Sequence, residues 1–380
     1  MKTRRLLTYI GILIALFFPD PVFGKGDTIS CGPYLLVESP SSVVVRWQGD
    51  GAPQDLMLRG PDGRISSLSP KEVDLPLVAR LFPDEIFEVR LRNLRPCARY
   101  SYRVGKSRQF HFTMPGNRSR SCGETTSITV IGDLRNGEKR SSVFGDLIRQ
   151  QNPSLIAVLG DVVKSPFRYR HWLRFLKFGE GIFGGVPLLL IPGNHEYFAG
   201  SRFGAPMMER FLTEASMGHR VIRHGRFHII VLDQYWGDDL KSDGKEWFRQ
   251  ALAAAPPEQF VLVMMHEPIY SFGHHKPKKR HRDLSDLLRG SSVDAVMYGH
   301  NHIYEHFFVD GIHYLTIGGG GAPLHGGKPD VVRELKSSLI KSGPYFHFLQ
   351  LKAEGNQLEF TVLSDSNEVI DHWYIGKRGR

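Results

Sequence analysis

The sequence predicts a chain in two parts, a small all-β sandwich followed by a larger α/β domain. Three observations carry that division. From about Ile29 to Phe112 apolar side chains recur at every second position; beyond a polar, turn-rich stretch, apolar β-branched runs alternate with helical segments; and from Phe346 the period of two returns. A chain of 380 residues with 41% hydrophobic content can bury one large core or two cores, which suits two domains and excludes general disorder.

At the N-terminus Lys2, Arg4 and Arg5 precede a thirteen-residue, largely apolar run, Leu6 to Phe18, followed by Pro19 and the small Gly24. This order reads as a signal peptide over residues 1–24. The run is too short to span a bilayer comfortably, and no later stretch approaches the roughly 20 apolar residues that spanning needs. A secreted or periplasmic protein without a stable membrane span is therefore expected. The leader holds three basic side chains and Asp20, so its removal takes the formal charge from +10 to +8. A basic surface suits anionic ligands. Aromatics are not interleaved with Lys and Arg as in a nucleic-acid groove, so no nucleic-acid partner is expected.

Residues 25–117 read as the sandwich. Val43, Val45 and Trp47 alternate with Val44 and Arg46; Phe87, Val89 and Leu91 with Glu88, Arg90 and Arg92; Tyr100, Tyr102 and Val104 with Ser101 and Arg103. These are half-buried antiparallel strands, and their spacers, Gly49-Asp50-Gly51 and Gly60-Pro61-Asp62-Gly63, are turn sequences. The segment Leu94 to Tyr100 resembles the tyrosine corner of fibronectin type III domains, in which the phenol ties down a loop. Cys31, Cys97 and Cys122 allow at most one disulfide, and their spacing excludes a structural zinc site. Asn117-Arg118-Ser119 is a glycosylation sequon.

Residues 118–126 read as a linker and 127–376 as the α/β domain. In that domain the apolar runs 128–131, 155–159, 186–191, 260–265 and 295–298 predict strands. Segments 139–151, 167–178, 206–213 and 284–288 predict helices, as does one beginning at Asp243 with Glu246 in a capping box. Continuous apolar strands separated by helices indicate a parallel sheet covered on both faces. The alternating C-terminal segment is expected to close the sheet.

What each apolar strand runs into is the informative feature. The five end in Gly132-Asp133, Gly160-Asp161, Gly193-Asn194-His195-Glu196, His266-Glu267-Pro268 and Gly299-His300-Asn301-His302. Singly, a Gly-Asp after a strand is commonly a turn or a helix cap, and a strand-end histidine is commonly structural. Five successive strand ends, each delivering a metal-ligating type, are not explained that way. In an open α/β sheet such ends converge on one place. Carboxylates, an amide oxygen and imidazoles suit Zn, Mn, Fe or Co better than Ca or Mg.

On these motifs the chain resembles the calcineurin-like metallophosphoesterases and, within them, the purple acid phosphatase branch. Gly299 to Glu305 is similar to that branch's Gly-His-x-His-x-Tyr-Glu, and Gly318 to Pro323 to its late Gly-rich strand. A fibronectin type III-like domain ahead of the catalytic one is also typical of the branch. The resemblance implies an α/β sandwich with two divalent or trivalent metal ions, Fe, Zn or Mn. Asp161 would bridge them, one taking Asn194, His266 and His300 and the other Asp133 and His302. Two positions depart from the pattern. Arg135 stands where the family places a ligating His, and Lys164 where the purple enzymes place a tyrosinate, which leaves the second site ligand-poor and without its chromophore.

The implied reaction is hydrolysis of small phosphate esters, most of all phosphomonoesters, by a hydroxide bridging the metals. His195, no ligand by the resemblance, would orient phosphate or protonate the leaving group, and Arg135 could grip phosphate oxygens with its planar fork. His274 and His275 stand near the spacing of two substrate-facing histidines of the plant enzymes; the basic run that follows, 276–282, also reads as a plain solvated loop. Two alternatives stay open: phosphodiester or nucleotide hydrolysis on the same site, and a binding protein with an impaired metal site.

Overall fold

The computed structural model describes residues 29–77, 79–82, 84–116, 125–135, 138–198, 202–213, 216–236, 242–326 and 337–377. The leader, Cys122 and most of the linker read from sequence lie outside these. Eight short strands come first: β1 (Ile29–Ser39), β2 (Ser42–Gly49), β3 (Leu56–Arg59), β4 (Ile65–Leu68), β5 (Lys71–Glu72), β6 (Glu85–Leu91), β7 (Arg99–Val104) and β8 (Phe110–Thr113). They form the layers β1-β2-β6-β5 and β4-β3-β7-β8. Val45, Trp47, Phe87, Val89, Tyr102 and Val104, the residues of the period-two pattern, fill the core between them. The Tyr100 hydroxyl accepts the Arg95 N–H at 2.8 Å, which ties down the 94–100 loop. Cys97 is disulfide-bonded. Cys31 is a free thiol that burial pushes up to about 12.

The second part comprises β9 (Thr126–Ile131), α1 (Glu138–Gln151), β10 (Leu155–Val158), α2 (Tyr169–Phe178), β11 (Leu188–Leu190), α3 (Ala205–Met208), β12 (Arg220–His224), β13 (Phe227–Val231) and α4 (Ser242–Ala253). It continues with β14 (Phe260–Met264), α5 (Lys279–Arg282), α6 (Leu284–Leu288), β15 (Val293–Tyr298), β16 (Tyr304–Val309), β17 (Ile312–Ile317), β18 (Leu339–Gly343), β19 (His347–Glu354), β20 (Gln357–Ser364) and β21 (Val369–Gly376).

These strands build two mixed sheets rather than the one parallel sheet the pattern indicates. The first runs β21-β20-β19-β9-β10-β11-β1-β2-β6-β5 and the second β12-β13-β14-β15-β17-β16-β18. Residue alternation in β9 and β10 explains the arrangement. Ile128, Val130, Leu155 and Ala157 meet Ile229, Val231, Leu262 and Met297 of the other sheet, whereas Ile131, Ile156 and Val158 pack with Phe144, Trp172 and Phe175 of the helices. Both faces of each strand are thus buried, one by helices and one by a sheet, and sequence periodicity does not distinguish the two covers. The outer face of the second sheet is closed by Phe248, Leu284 and Leu288.

Two further details differ from expectation. The helix expected over 206–213 stops at Met208; a last helical-turn bond runs from the Leu212 N–H to the Met208 carbonyl at 2.7 Å, and Arg46 takes the carbonyls of Glu209 and Leu212 at 2.8 and 2.7 Å. Helix α4 starts at Ser242, one residue before the expected cap. The first sheet also joins the two parts directly. Strand β1 pairs in parallel with β11 through Leu36 and Leu188, so a layer of the sandwich continues the first sheet of the second part.

Candidate metal centre

The strand-end loops close on one another at the C-terminal edges of the parallel strands. Asp133, Asp161 and His300 all adopt positive φ, at 58°, 55° and 68°, which turns each side chain sharply off the end of its strand. Gly160 has φ +86°, and a Cβ there would stand 2.6 Å from the Gly193 nitrogen and 2.7 Å from His266 Nδ1. No side chain fits where these loops meet. Glu196 organises the meeting point: its buried carboxylate accepts the backbone N–H groups of Gly193, Asp161, Val162 and Val163 at 2.7, 2.8, 2.9 and 3.1 Å. Burial and the charge of Asp161 push this carboxyl up to about 7 against the pull of those donors.

Four donor atoms converge. His266 Nε2 lies 3.1 Å from Asn194 Oδ1, 3.3 Å from His300 Nδ1 and 3.4 Å from Asp161 Oδ1, and His300 Nδ1 is 3.0 Å from Asn194 Oδ1. The spacings among His266 Nε2, Asn194 Oδ1 and His300 Nδ1 are those of N and O ligands, roughly 3.3 Å apart, around a zinc-like ion at about 2.0–2.1 Å, and Asp161 Oδ1 adjoins this set at His266. His266 donates its Nδ1 proton to the Leu159 carbonyl at 2.7 Å, which leaves Nε2 as the atom that would ligate an ion. Burial, then the cationic influence of His266 and His275, hold His300 well below the usual imidazole range, which keeps its ligating nitrogen unprotonated. This set fits one divalent ion.

The second position is different. His302 donates Nδ1 to the Pro323 carbonyl at 2.7 Å and turns Nε2 to within 3.5 Å of Asp133 Oδ1, a buried oxygen without a hydrogen bond. A lone pair facing an orphaned carboxylate oxygen calls for a cation. Arg135 supplies one in part: its Nε donates to Asp161 Oδ2 and its Nη2 faces His302 Nε2, both at 3.2 Å. The guanidinium therefore takes two of the three donors a second ion would need. Burial alone would raise the Asp133 carboxyl, but the His302 contact and neighbouring positive charge hold it below the carboxylate range.

The remaining expected residues stand around this centre. His195 gives its backbone N–H to Asp161 Oδ1 at 3.0 Å; its Nδ1 donates to the Lys164 carbonyl at 2.8 Å, leaving Nε2 3.8 Å from Asp161 Oδ2 and open to solvent. His275 and His274 are exposed at the mouth, the His275 ring 4.5 Å from that of His300. The basic run is no free loop at its middle, since Lys278 pairs with Glu267 at 2.6 Å and His281 is buried beside that carboxylate. His325 escaped the sequence reading. It stacks on His302 at 4.2 Å and lies 5.1 Å from His274. Its only signal is position, two residues beyond the Gly-rich segment that ends at Pro323.

The strand-end loops of this two-sheet α/β sandwich thus gather metal-ligating side chain types at one edge, with histidines at the mouth. Residues 126–304 match the calcineurin-like phosphoesterase family. The chain is 27% identical over 292 residues to Purple acid phosphatase 15 of Arabidopsis thaliana, covering 62% of this chain and 53% of that protein. To Purple acid phosphatase 23 of the same plant it is 26% identical over 368 residues, covering 76% and 78%. The chain thus spans about half the length of the first relative and over three quarters of the second. Its fold is similar to that of a purple acid phosphatase from yellow lupin seeds, with a TM-score of 0.77 at 18% identity over 90% of this chain and 74% of that one. These likenesses support a purple acid phosphatase-like reading of the chain.

Proposed function

We propose that this chain hydrolyses phosphomonoesters. The observation that carries the reading is the cluster of Asn194, His266 and His300, with Asp161 beside His266 and His195 open to solvent next to them. An ion bound there supplies Lewis acidity to phosphoryl oxygens and a nucleophile near neutral pH. The chain's own groups do the rest. The Asp161 and Asn194 loops, fixed by Glu196, hold the donors in place. His195, its Nδ1 committed to the Lys164 carbonyl, offers Nε2 to protonate a leaving oxygen, and His274 and His275 border the entrance. Arg135 and Lys164 add positive charge, which favours a dianionic monoester over a monoanionic diester. We read the metal complement as one firmly held ion, with Arg135 occupying much of the second position.

Purified protein should be assayed with 4-nitrophenyl phosphate and bis(4-nitrophenyl) phosphate alongside its metal content. The reading requires the monoester to be hydrolysed at least about 10-fold faster. The reverse order makes the chain a diesterase, and bound metal without turnover makes it a binding protein. The leader expected over residues 1–24 and the disulfide at Cys97 support an activity outside the cytoplasm, in an oxidising compartment. Among the described residues no helix is long and apolar enough to cross a membrane.

A further inference from the structure

Beside the metal centre lies a cavity of about 680 Å³, a size typical of small-molecule sites, with a cationic wall. Arg108, from the turn between β7 and β8, Arg149 of α1, and Arg174 and Lys177 of α2 line it, with Lys164. Arg135 belongs to the same wall, so the cavity opens directly onto the groups around Asp161. Of the acidic side chains lining it, Asp146 is committed to Arg149, and Glu180 is the other. Arg108 and Arg149 come from different parts of the fold, yet a guanidinium nitrogen of each lies within 3.4 Å of the point where a Cβ on Gly181 would stand. Gly181 has φ +85°, which leaves that point open. Two like charges brought to one point repel, and an anion between them removes the penalty. Val162 and Phe175 add apolar surface for an organic skeleton.

We propose that this cavity is a second anion subsite, selecting phosphomonoesters whose leaving group carries a further phosphate. The inference rests on the phosphomonoesterase reading for the site it adjoins. Because Arg135 is shared, one molecule can present one phosphate to the metal centre and another to Arg108, Arg149 and Lys177.

The test compares butanediol monophosphate with butanediol bisphosphate, and measures binding of inorganic tripolyphosphate by calorimetry. Two equivalent phosphates alone give the bisphosphate a twofold advantage in kcat/KM; the subsite should raise it to on the order of 10-fold or more, for paired charged hydrogen bonds. In the double variant Arg108→Ser, Lys177→Ser the advantage should fall towards twofold with the monophosphate rate retained, and tripolyphosphate binding should weaken by about the same factor. A wild-type advantage of only twofold, or one that survives the double variant, overturns the subsite. If neither ester is hydrolysed, the phosphomonoesterase reading fails on its own, and the calorimetry still decides the subsite: equal tripolyphosphate binding by wild type and variant refutes it.

Discussion

At the scale of single residues, Asp161 is held from several sides. Its Oδ1 accepts the His195 N–H and its Oδ2 the Arg135 Nε, while His266 Nε2 stands 3.4 Å from Oδ1. Removing its charge leaves bound metal and guanidinium facing each other without compensation, so Asp161→Asn is expected to abolish turnover and lower metal content. Full metal by mass spectrometry with wild-type turnover refutes that role. His195→Ala should instead keep its metal and lose roughly 10²- to 10⁴-fold in rate, with a smaller loss on nitrophenyl than on alkyl phosphates, since a good leaving group needs no proton. Equal losses on both would argue against proton donation. Arg135 is the departure with the clearest consequence. With Nε and Nη2 committed to Asp161 and His302, it cannot also grip phosphate through that edge. Arg135→His should therefore raise the metal stoichiometry from one towards two per chain, and a wild-type protein that already holds two tightly contradicts this reading. The residues that cluster at this edge are legible in the sequence because each lies shortly beyond an apolar strand. His325 is not, because what brings it to His302 is a long-range backbone contact, its own N–H on the His302 carbonyl at 2.9 Å.

At the scale of elements, the loops are organised by buried side chains that touch no substrate. Glu305, on β16, accepts Ser271 Oγ at 2.5 Å, the Phe272 N–H at 2.6 Å and Thr316 Oγ1 at 2.8 Å, while Asn301 bonds Ser271 Oγ and both backbone groups of His275 at 2.8–2.9 Å. The Asn and Glu of the Gly-His-Asn-His-Ile-Tyr-Glu motif thus hold the loop that carries His274 and His275. Asn301→Ala should raise KM for 4-nitrophenyl phosphate about 10-fold with metal content unchanged, because the loop is freed and the ligands are not. A parallel loss of metal would show that Asn301 supports the ligands themselves. The central strands were readable as long apolar runs. The pair β12 and β13 was not read, since Arg220, Arg223 and His224 break the apolar pattern of the first, and its pairing with β13 is a tertiary fact. Helix α3 is shorter than its pattern predicts, and the carbonyls just beyond it, of Glu209 and Leu212, are taken by a guanidinium from another element.

At the scale of the whole molecule, the sandwich is fastened to the catalytic part by buried charge as well as by strand pairing. Arg46, only 2% exposed, reaches from β2 to the carbonyls of Glu209 and Leu212 and pairs with Glu88 at 2.5 Å. Arg210 reaches back to the carbonyls of Ala79 and Asp84. A cation buried this deeply depends on its partners, and removing one partner of such a pair typically costs about 3–5 kcal/mol. Arg46→Met should accordingly lower stability by several kcal/mol, and wild-type protein should unfold in one transition because a single sheet runs through both parts. The Glu88 carboxyl gives the anchor a pH dependence. Burial alone would raise it, but the charge and hydrogen bond of Arg46, helped by Arg90, hold it below its ordinary 4.5. A carboxyl lowered on folding contributes stability that is fully present above about 4.5 and is lost as pH falls through the folded value. Wild-type protein should therefore lose Tm more steeply than Glu88→Gln as pH falls below about 4.5. The neutral amide has no proton to take up, so its own curve reports only the remaining carboxylates. A gap in Tm between the two proteins that stays constant as pH falls would show that Glu88 is not what ties the anchor to pH.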